Sequence, residues 1–101
     1  MSQSTILKKL TSKTMQEHLK KCNIEHLWIF GSRAKESYKE DSDIDLLYQL
    51  VDIPNRDGLA FFRGIWYIKD VLWTENIDFV SIEFIHPDIR EEVLSSKIAL
   101  W

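Results

Sequence analysis

This sequence of 101 residues lacks the features that mark several classes of protein. Its one cysteine, Cys22, cannot form a disulfide within the chain, and its histidine residues lack the spacing of a zinc site. It has no block of lysine and arginine, and its formal net charge is −3, which argues against a primary nucleic-acid surface. No segment approaches the ~20 apolar residues of a membrane span, and the N-terminus lacks a signal peptide. We therefore expect a cytoplasmic protein that contacts neither nucleic acid directly nor a membrane.

The residues that are present indicate a folded globular chain. Hydrophobic residues make up 45% of the sequence, and four tryptophans are many for this length, so disorder is excluded. A chain of this size can bury one core without disulfides. We expect a single domain over residues 1–101.

The spacing of apolar residues predicts helices and strands in the order αβαβαβα. Glycine is absent from residues 4–21, so we expect one helix there, with a potential break at residues 11–12. The other expected elements are a strand at 26–30, a short helix at 32–36, a strand at 43–51, a helix at 59–73, a strand at 77–85 and a helix at 88–100. A polar loop is expected at 37–42 and a turn at 54–58.

The most informative stretch is residues 31–45. Gly31 and Ser32 directly follow an apolar run, and ten residues later Asp43 and Asp45 open the next apolar run. Alternate residues of a strand point to the same face, so we expect both carboxylates on one side of the sheet. A small turn at the start of a helix beside that face suits phosphate. The spacing therefore predicts a site for a nucleoside triphosphate and a divalent metal.

Asp78 is the candidate for a third carboxylate at this site. Its neighbours Ile77 and Phe79 are apolar, and a carboxylate within a buried strand is costly unless it is paired or bound to metal. We expect Asp43 and Asp45 to hold Mg²⁺, with Asp78 completing the metal site and helping to activate an acceptor hydroxyl. The alternatives are a turn residue for Asp43 and a solvent-facing carboxylate for Asp78.

The turn itself supplies candidate phosphate ligands. Gly31 has no Cβ and lets the backbone approach phosphate oxygens, and Ser32 offers a hydroxyl and a backbone N–H. Arg33 could neutralise the charge of the triphosphate, as could Lys35. An ordinary surface position for Arg33 is an equally good interpretation.

The runs GSRA at 31–34 and SDIDL at 42–46 resemble the signature of the minimal nucleotidyltransferase (MNT) branch of the polymerase-β-like nucleotidyltransferase superfamily. The run IDFV at 77–80 stands where that family carries its third carboxylate. The resemblance implies an α+β fold with a small mixed sheet flanked by helices. It also implies an Mg²⁺-dependent antitoxin that transfers AMP from ATP to a hydroxyl of a HEPN-domain ribonuclease toxin, with tyrosine as the expected acceptor.

Two other functions stay open: an antitoxin that neutralises its toxin by binding alone, and a nucleotidyltransferase with a small-molecule acceptor. The oligomeric state is open between a homo-oligomer and a hetero-oligomer. Four apolar residues at helical spacing on the predicted helix over 59–73 form either core or a partner surface. They are Leu59, Phe62, Trp66 and Trp73.

Overall fold

The computed structural model describes residues 3–34, 43–52 and 58–101. Within these ranges the chain forms four α-helices, four strands and two short 3-10 helices. The helices are α1 Gln3–Leu10, α2 Lys13–Lys21, α3 Gly58–Leu72 and α4 Pro87–Ser96. The strands are β1 Ile24–Phe30, β2 Ile44–Leu50, β3 Ile77–Ser81 and β4 Ile98–Ala99. The 3-10 helices are Gly31–Ala34 and Ile82–Phe84.

The strands form one mixed sheet in the order β3-β2-β1-β4. β1 runs antiparallel to β2 and to β4, whereas β2 and β3 are parallel. A parallel pair needs a crossover connection, and α3 supplies it between β2 and β3. The prediction of an α+β fold with a small mixed sheet is confirmed.

Both faces of the sheet are covered, and the strand periodicity divides the core in two. Leu27 and Ile29 of β1 and Leu46 of β2 belong to the core shared with α1, α2 and α3. The alternate residues Phe30 and Leu47 belong to a smaller core that includes Val93 of α4. Successive strand side chains point to opposite faces, so the sheet separates an α3 side from an α4 side.

The predicted helix over 4–21 is two helices, and the break between them falls at residues 11–12, the position expected for a potential break. Ser12 caps the start of α2, because its Oγ accepts a hydrogen bond from the backbone N–H of Met15 at 3.1 Å. A serine that caps a new helix satisfies an amide that would otherwise lack a partner. The absence of glycine was therefore a poor guide to continuity.

The C-terminal part of the predicted helix over 88–100 is wrong. α4 ends at Ser96, and Ile98 and Ala99 form β4 opposite Ile29 and Trp28 of β1. The strand pairing continues into Leu100, whose backbone N–H donates to the carbonyl of Leu27 at 2.9 Å. Pairing with the open edge of β1 outweighs the local helical preference of these residues.

Other boundaries differ by a few residues. β3 ends at Ser81 instead of residue 85, because the Ser81 hydroxyl accepts a hydrogen bond from Glu83 N–H at 3.2 Å and starts a 3-10 helix. The expected loop at 37–42 and residues 54–57 of the expected turn lie outside the described residues, and Gly58 begins α3. None of the described helices is long and apolar enough to cross a membrane.

α3 buries one face and exposes the other. Its buried residues are Ala60, Gly64, Ile68 and Leu72, each four positions apart. Leu59, Phe62 and Trp66 lie on the opposite side and are between 52% and 66% exposed, and Trp73, just beyond the end of α3, is 91% exposed. We call these four residues the outer α3 stripe. The interpretation of this stripe as core is therefore wrong for the chain as described, and the partner-surface alternative stays.

Candidate active site

The register of the sheet brings the end of β1 beside two acidic residues. Phe30, the last residue of β1, lies opposite Asp45 of β2, and Asp45 lies beside Asp78 of β3. Gly31 follows Phe30, so the start of the 3-10 helix lies next to the Asp45 position. Asp43 lies immediately before β2 and is exposed, as is Asp78. Asp45 and Asp78 therefore lie side by side near the Gly-Ser turn, on the α4 side of the sheet.

Gly31 and Asp45 fit against each other closely. Gly31 has φ +70°, a backbone conformation that side-chain-bearing residues rarely adopt. A Cβ placed on Gly31 would overlap Oδ2 of Asp45 and would lie 3.3 Å from its Cγ. Two independent constraints therefore require glycine here, and the group that a Cβ would meet first is the Asp45 carboxylate.

The electrostatics of the site centre on Asp45. Its carboxyl is half-buried, and its pKa rises from 3.8 to about 6. Burial is the largest cause, followed by the negative charge of Asp78 and a side-chain hydrogen bond with Asp78, then the charge of Asp43. A carboxylate that is both desolvated and surrounded by like charge is a natural partner for a cation.

The donor set suits a hard divalent cation. Carboxylate oxygens are ligands that Mg²⁺ prefers, and a bound cation would offset the repulsion among Asp43, Asp45 and Asp78. In the described part of the chain, no three or more His, Cys, Asp or Glu side chains are already grouped around one ion position. Asp45 and Asp78 are direct neighbours across β2 and β3, whereas Asp43 affects Asp45 through its charge. The assignment of these three residues as metal ligands stays a prediction.

The other predicted ligands lie around the 3-10 helix. Arg33 is only 3% exposed, so it is not an ordinary surface residue. Its backbone carbonyl accepts a hydrogen bond from the side chain of Gln3, which ties α1 to this turn. The side chain of Ser32 and the whole of Lys35 lie outside the described part of the structure. The phosphate-binding roles of Gly31, Ser32 and Arg33 stay predictions.

A cleft of about 320 Å³ opens between this turn and α4. Its walls are Phe30, Gly31 and Asp45 on the sheet side and Ile89, Glu92, Val93 and Ser96 on α4. The sequence analysis missed the α4 residues. Their spacing of three and four along a helix was the available signal, but periodicity alone does not say which part of the sheet a helix faces.

A mixed sheet that gathers carboxylates from neighbouring strands beside a Gly-Ser turn defines a nucleotidyltransferase fold. The chain belongs to the polymerase beta nucleotidyltransferase family, whose model matches residues 12–101. The chain is 30% identical over 80 residues to a candidate protein adenylyltransferase of Methanocaldococcus jannaschii, an alignment that covers 79% of this chain and 83% of the relative. The predicted nucleotidyltransferase identity is confirmed.

Solved structures agree on the minimal type of this domain. A candidate minimal nucleotidyltransferase superimposes with a TM-score of 0.75 and 28% identity, covering 97% of this chain and 95% of that chain. An MNT antitoxin in complex with a tri-AMPylated HEPN toxin of Shewanella oneidensis superimposes with a TM-score of 0.59 and 18% identity, covering 93% and 71%. This second likeness shows the fold alone.

Proposed function

We propose that this chain is an MNT antitoxin that transfers AMP from ATP to a tyrosine hydroxyl of a HEPN-domain ribonuclease toxin. The observation that carries the proposal is the Asp45 carboxyl, which packs on Gly31 beside Asp78 at the edge of a cleft. This arrangement supports binding of a cation and a triphosphate. The choice of AMP and of the acceptor is supported by the relative described as a protein adenylyltransferase and by the AMPylated toxin of the structural neighbour.

In this proposal Asp43, Asp45 and Asp78 hold Mg²⁺, which supplies charge neutralisation to the triphosphate when it is bound. Gly31, Ser32 and Arg33 form the phosphate-binding turn. The acceptor oxygen forms a bond to the α-phosphorus of ATP, and the bond from that phosphorus to the bridging oxygen breaks and releases pyrophosphate. Asp78, which is exposed beside Asp45, accepts the proton of the acceptor hydroxyl.

The remaining parts of the proposal concern the setting of this reaction. We place residues 1–101 in one catalytic domain and the reaction in the cytoplasm. That compartment supplies ATP and Mg²⁺ and keeps thiols such as that of Cys22 reduced. The acceptor is supplied by the toxin, so the productive assembly is a hetero-oligomer of the two chains.

The direct test uses the purified chain, the protein encoded by the neighbouring gene as the candidate acceptor, and labelled ATP with Mg²⁺. We expect label on the toxin, and we expect Asp43→Asn and Asp45→Asn to abolish it. Asp70→Asn is the matched control, because Asp70 is an exposed carboxylate on α3, remote from the cleft. An unlabelled toxin in a folded pair, or full activity in both site variants, would refute the proposed reaction.

One observation favours a second candidate function, neutralisation of the toxin by binding. Residues Leu59, Phe62 and Trp66 of the outer α3 stripe line a surface hollow of about 410 Å³ together with Arg63. Clusters of exposed large apolar residues mark interaction sites, and aromatic residues and arginine are enriched in the centres of interfaces. The occupant we propose is a HEPN toxin, because one of the similar solved structures is an MNT antitoxin in complex with such a toxin.

This second function is separable from the first. If binding alone protects the cell, Asp45→Asn retains protection, and the pair Phe62→Ser with Trp66→Ser loses both protection and complex formation. Phe84→Ser is the matched control, since Phe84 is 81% exposed but lies in the 3-10 helix after β3. Complex formation would be measured by size-exclusion chromatography. An intact complex with the double variant would exclude the stripe as the docking surface.

A further inference from the structure

Trp73, the residue that follows α3, combines two features that each cost stability. Its backbone φ is +53°, and the N–H of Thr74 donates to the carbonyl of Lys69 at 3.3 Å, a pattern of helix end in which the left-handed residue is usually glycine. A side chain disfavours this backbone, and the Trp73 ring is 91% exposed, so burial offsets almost none of the cost. Neither the local backbone nor the core therefore accounts for a tryptophan at this position.

Trp73 lies at the end of the sheet that carries the carboxylates. α3 is the crossover between the parallel strands β2 and β3, so its C-terminal end is at the edge where both strands begin. The turn after Trp73 is joined to this edge, because the N–H of Ile44 donates to the carbonyl of Asn76 at 2.9 Å. Asp78 comes two residues after Asn76 and lies beside Asp45. The exposed ring and the exposed Asp78 carboxylate therefore belong to the same edge of the molecule.

Trp73 is separate from the other members of the outer α3 stripe. Leu59, Phe62 and Trp66 line the hollow with Arg63, and Trp73 is not among its lining residues. The helical rise from Trp66 to Trp73 is about 10 Å. A partner that covers the carboxylate edge can thus contact Trp73 without covering the hollow.

The charge at this edge indicates what kind of partner it fits. Asp43 and Asp78 are both exposed here. Of two nearby lysines, Lys69 pairs with Glu75 at 3.2 Å, and Lys9 donates to a backbone carbonyl in the last turn of α3. The phosphates of a bound nucleotide add further negative charge, so the complement of this edge is a segment that carries lysine or arginine. Such cations are also attracted to the face of a tryptophan ring.

We propose that Trp73 is the docking residue for the acceptor protein, in which it packs against a lysine- or arginine-bearing segment next to the acceptor hydroxyl and so brings that hydroxyl to Asp78. This inference rests on the proposed function, because it requires an acceptor at the carboxylate edge. Trp73 contacts the acceptor away from the reacting atoms. It therefore determines the affinity for the acceptor and takes no part in the transfer of AMP.

The test separates binding of the acceptor from the transfer of AMP to it, with the product of the neighbouring gene as acceptor. Trp73→Ala should raise the KM for the acceptor by about tenfold or more, because a tryptophan buried at an interface contributes a large part of the affinity. The kcat at saturating acceptor should stay within about twofold, as should the affinity for α,β-methylene-ATP with Mg²⁺, an analogue whose α–β bridge cannot be cleaved. Phe84→Ala is the matched control, since Phe84 is also an exposed aromatic residue but follows the opposite end of β3. It should leave all three quantities unchanged.

Two further variants separate docking from a role in folding. Trp73→Gly relieves the left-handed backbone, so it should raise the midpoint of thermal unfolding by about 4–8 °C while it raises the KM as Trp73→Ala does. Trp73→Phe keeps an aromatic ring and should recover part of the lost affinity. A lower midpoint for Trp73→Gly would mean that the side chain serves the fold, and it would overturn the proposal.

Two competing peptides test the chemistry of the docked segment. Each contains one tyrosine, flanked by lysines in one peptide and by glutamates in the other. The lysine peptide should inhibit labelling of the acceptor about tenfold more strongly than the glutamate peptide, and Trp73→Ala should weaken that inhibition. Equal inhibition by the two peptides, or stronger inhibition by the glutamate peptide, overturns the basic segment.

The failures of the two proposals are distinguishable. If the unmutated chain labels the acceptor and Trp73→Ala has the same KM as Phe84→Ala, the docking residue is overturned and the proposed function stands. A loss of kcat at an unchanged KM likewise overturns docking by Trp73. A folded, unmutated chain that labels no acceptor overturns both.

Discussion

Replacement of Asp45 by asparagine should stabilise the protein while it removes activity. In the folded protein the pKa of the Asp45 carboxyl is raised from 3.8 to about 6, because the group is half-buried and faces Asp78 and Asp43. Between these two pH values the folded state keeps a proton that the unfolded state has lost. The free energy of unfolding therefore falls as the pH rises through this window.

The size of the effect follows from the two pKa values. The interval from 3.8 to about 6 corresponds to about 3 kcal/mol at 1.36 kcal/mol per pH unit. Asp45 is only half-buried, so solvent screening reduces this to about 1–2 kcal/mol. Asparagine removes the charge, keeps the shape and can donate to the Asp78 carboxylate. We expect Asp45→Asn to raise the free energy of unfolding by about 1–2 kcal/mol at pH 8, and the midpoint of thermal unfolding by roughly 5–10 °C.

The assay is urea denaturation of both proteins at pH 8 and at pH 3.5, in the presence of a chelator. The difference should be largest at pH 8 and should become small at pH 3.5, where the aspartate is mostly protonated in both states. Asp70→Asn serves as a control for loss of an exposed charge and should change stability by less than about 0.5 kcal/mol. A variant less stable than the unmutated protein at pH 8, or a difference that does not depend on pH, would refute the argument from Asp45.

Two further predictions concern the neighbours of Asp45. Gly31→Ala should lower the free energy of unfolding by about 1–2 kcal/mol, because alanine disfavours the left-handed backbone at this position, and it should abolish transfer by displacing Asp45. Gly58→Ala is the control: its Cβ meets nothing within 4 Å, so it should leave stability unchanged or raise it by up to about 1 kcal/mol. Thermal melts measure both effects. Asp78→Asn should lower the pKa of Asp45 towards 3.8 but not to that value, because burial, the largest cause of the shift, remains. An NMR titration of the Asp45 carboxyl carbon measures this pKa, and an unchanged value in the variant would contradict the prediction.

The sequence predicted those parts of the fold that depend on local pattern. The strand and helix order from β1 to α4 follows from apolar spacing, and the boundaries of α3 differ from the prediction by one residue at each end. β4 could not be predicted in this way, because its two residues show no periodicity and exist as a strand only by pairing with β1. The two apolar faces of α3 were also indistinguishable by spacing, since only packing decides which of them is covered.

The candidate site was likewise predictable from the sequence only where it depends on local spacing. The spacing of Gly31, Asp43 and Asp45 predicted a common location, and strand periodicity placed the two carboxylates on one face. The contact of Asp78 with Asp45 depends on the register of β3 against β2, which a single sequence does not specify. The α4 wall depends on how that helix crosses the sheet, so Glu92 became visible only in three dimensions.

The two faces of the sheet are covered by different helices, and this arrangement has a consequence for the proposed antitoxin. If the toxin binds the outer α3 stripe, the sheet lies between the toxin and the cleft beside Asp45 in the same antitoxin molecule. One antitoxin molecule would then bind the toxin while a second transfers AMP to it, or one molecule would do both in succession. The rate of labelling within a preformed complex would accordingly rise when free antitoxin is added.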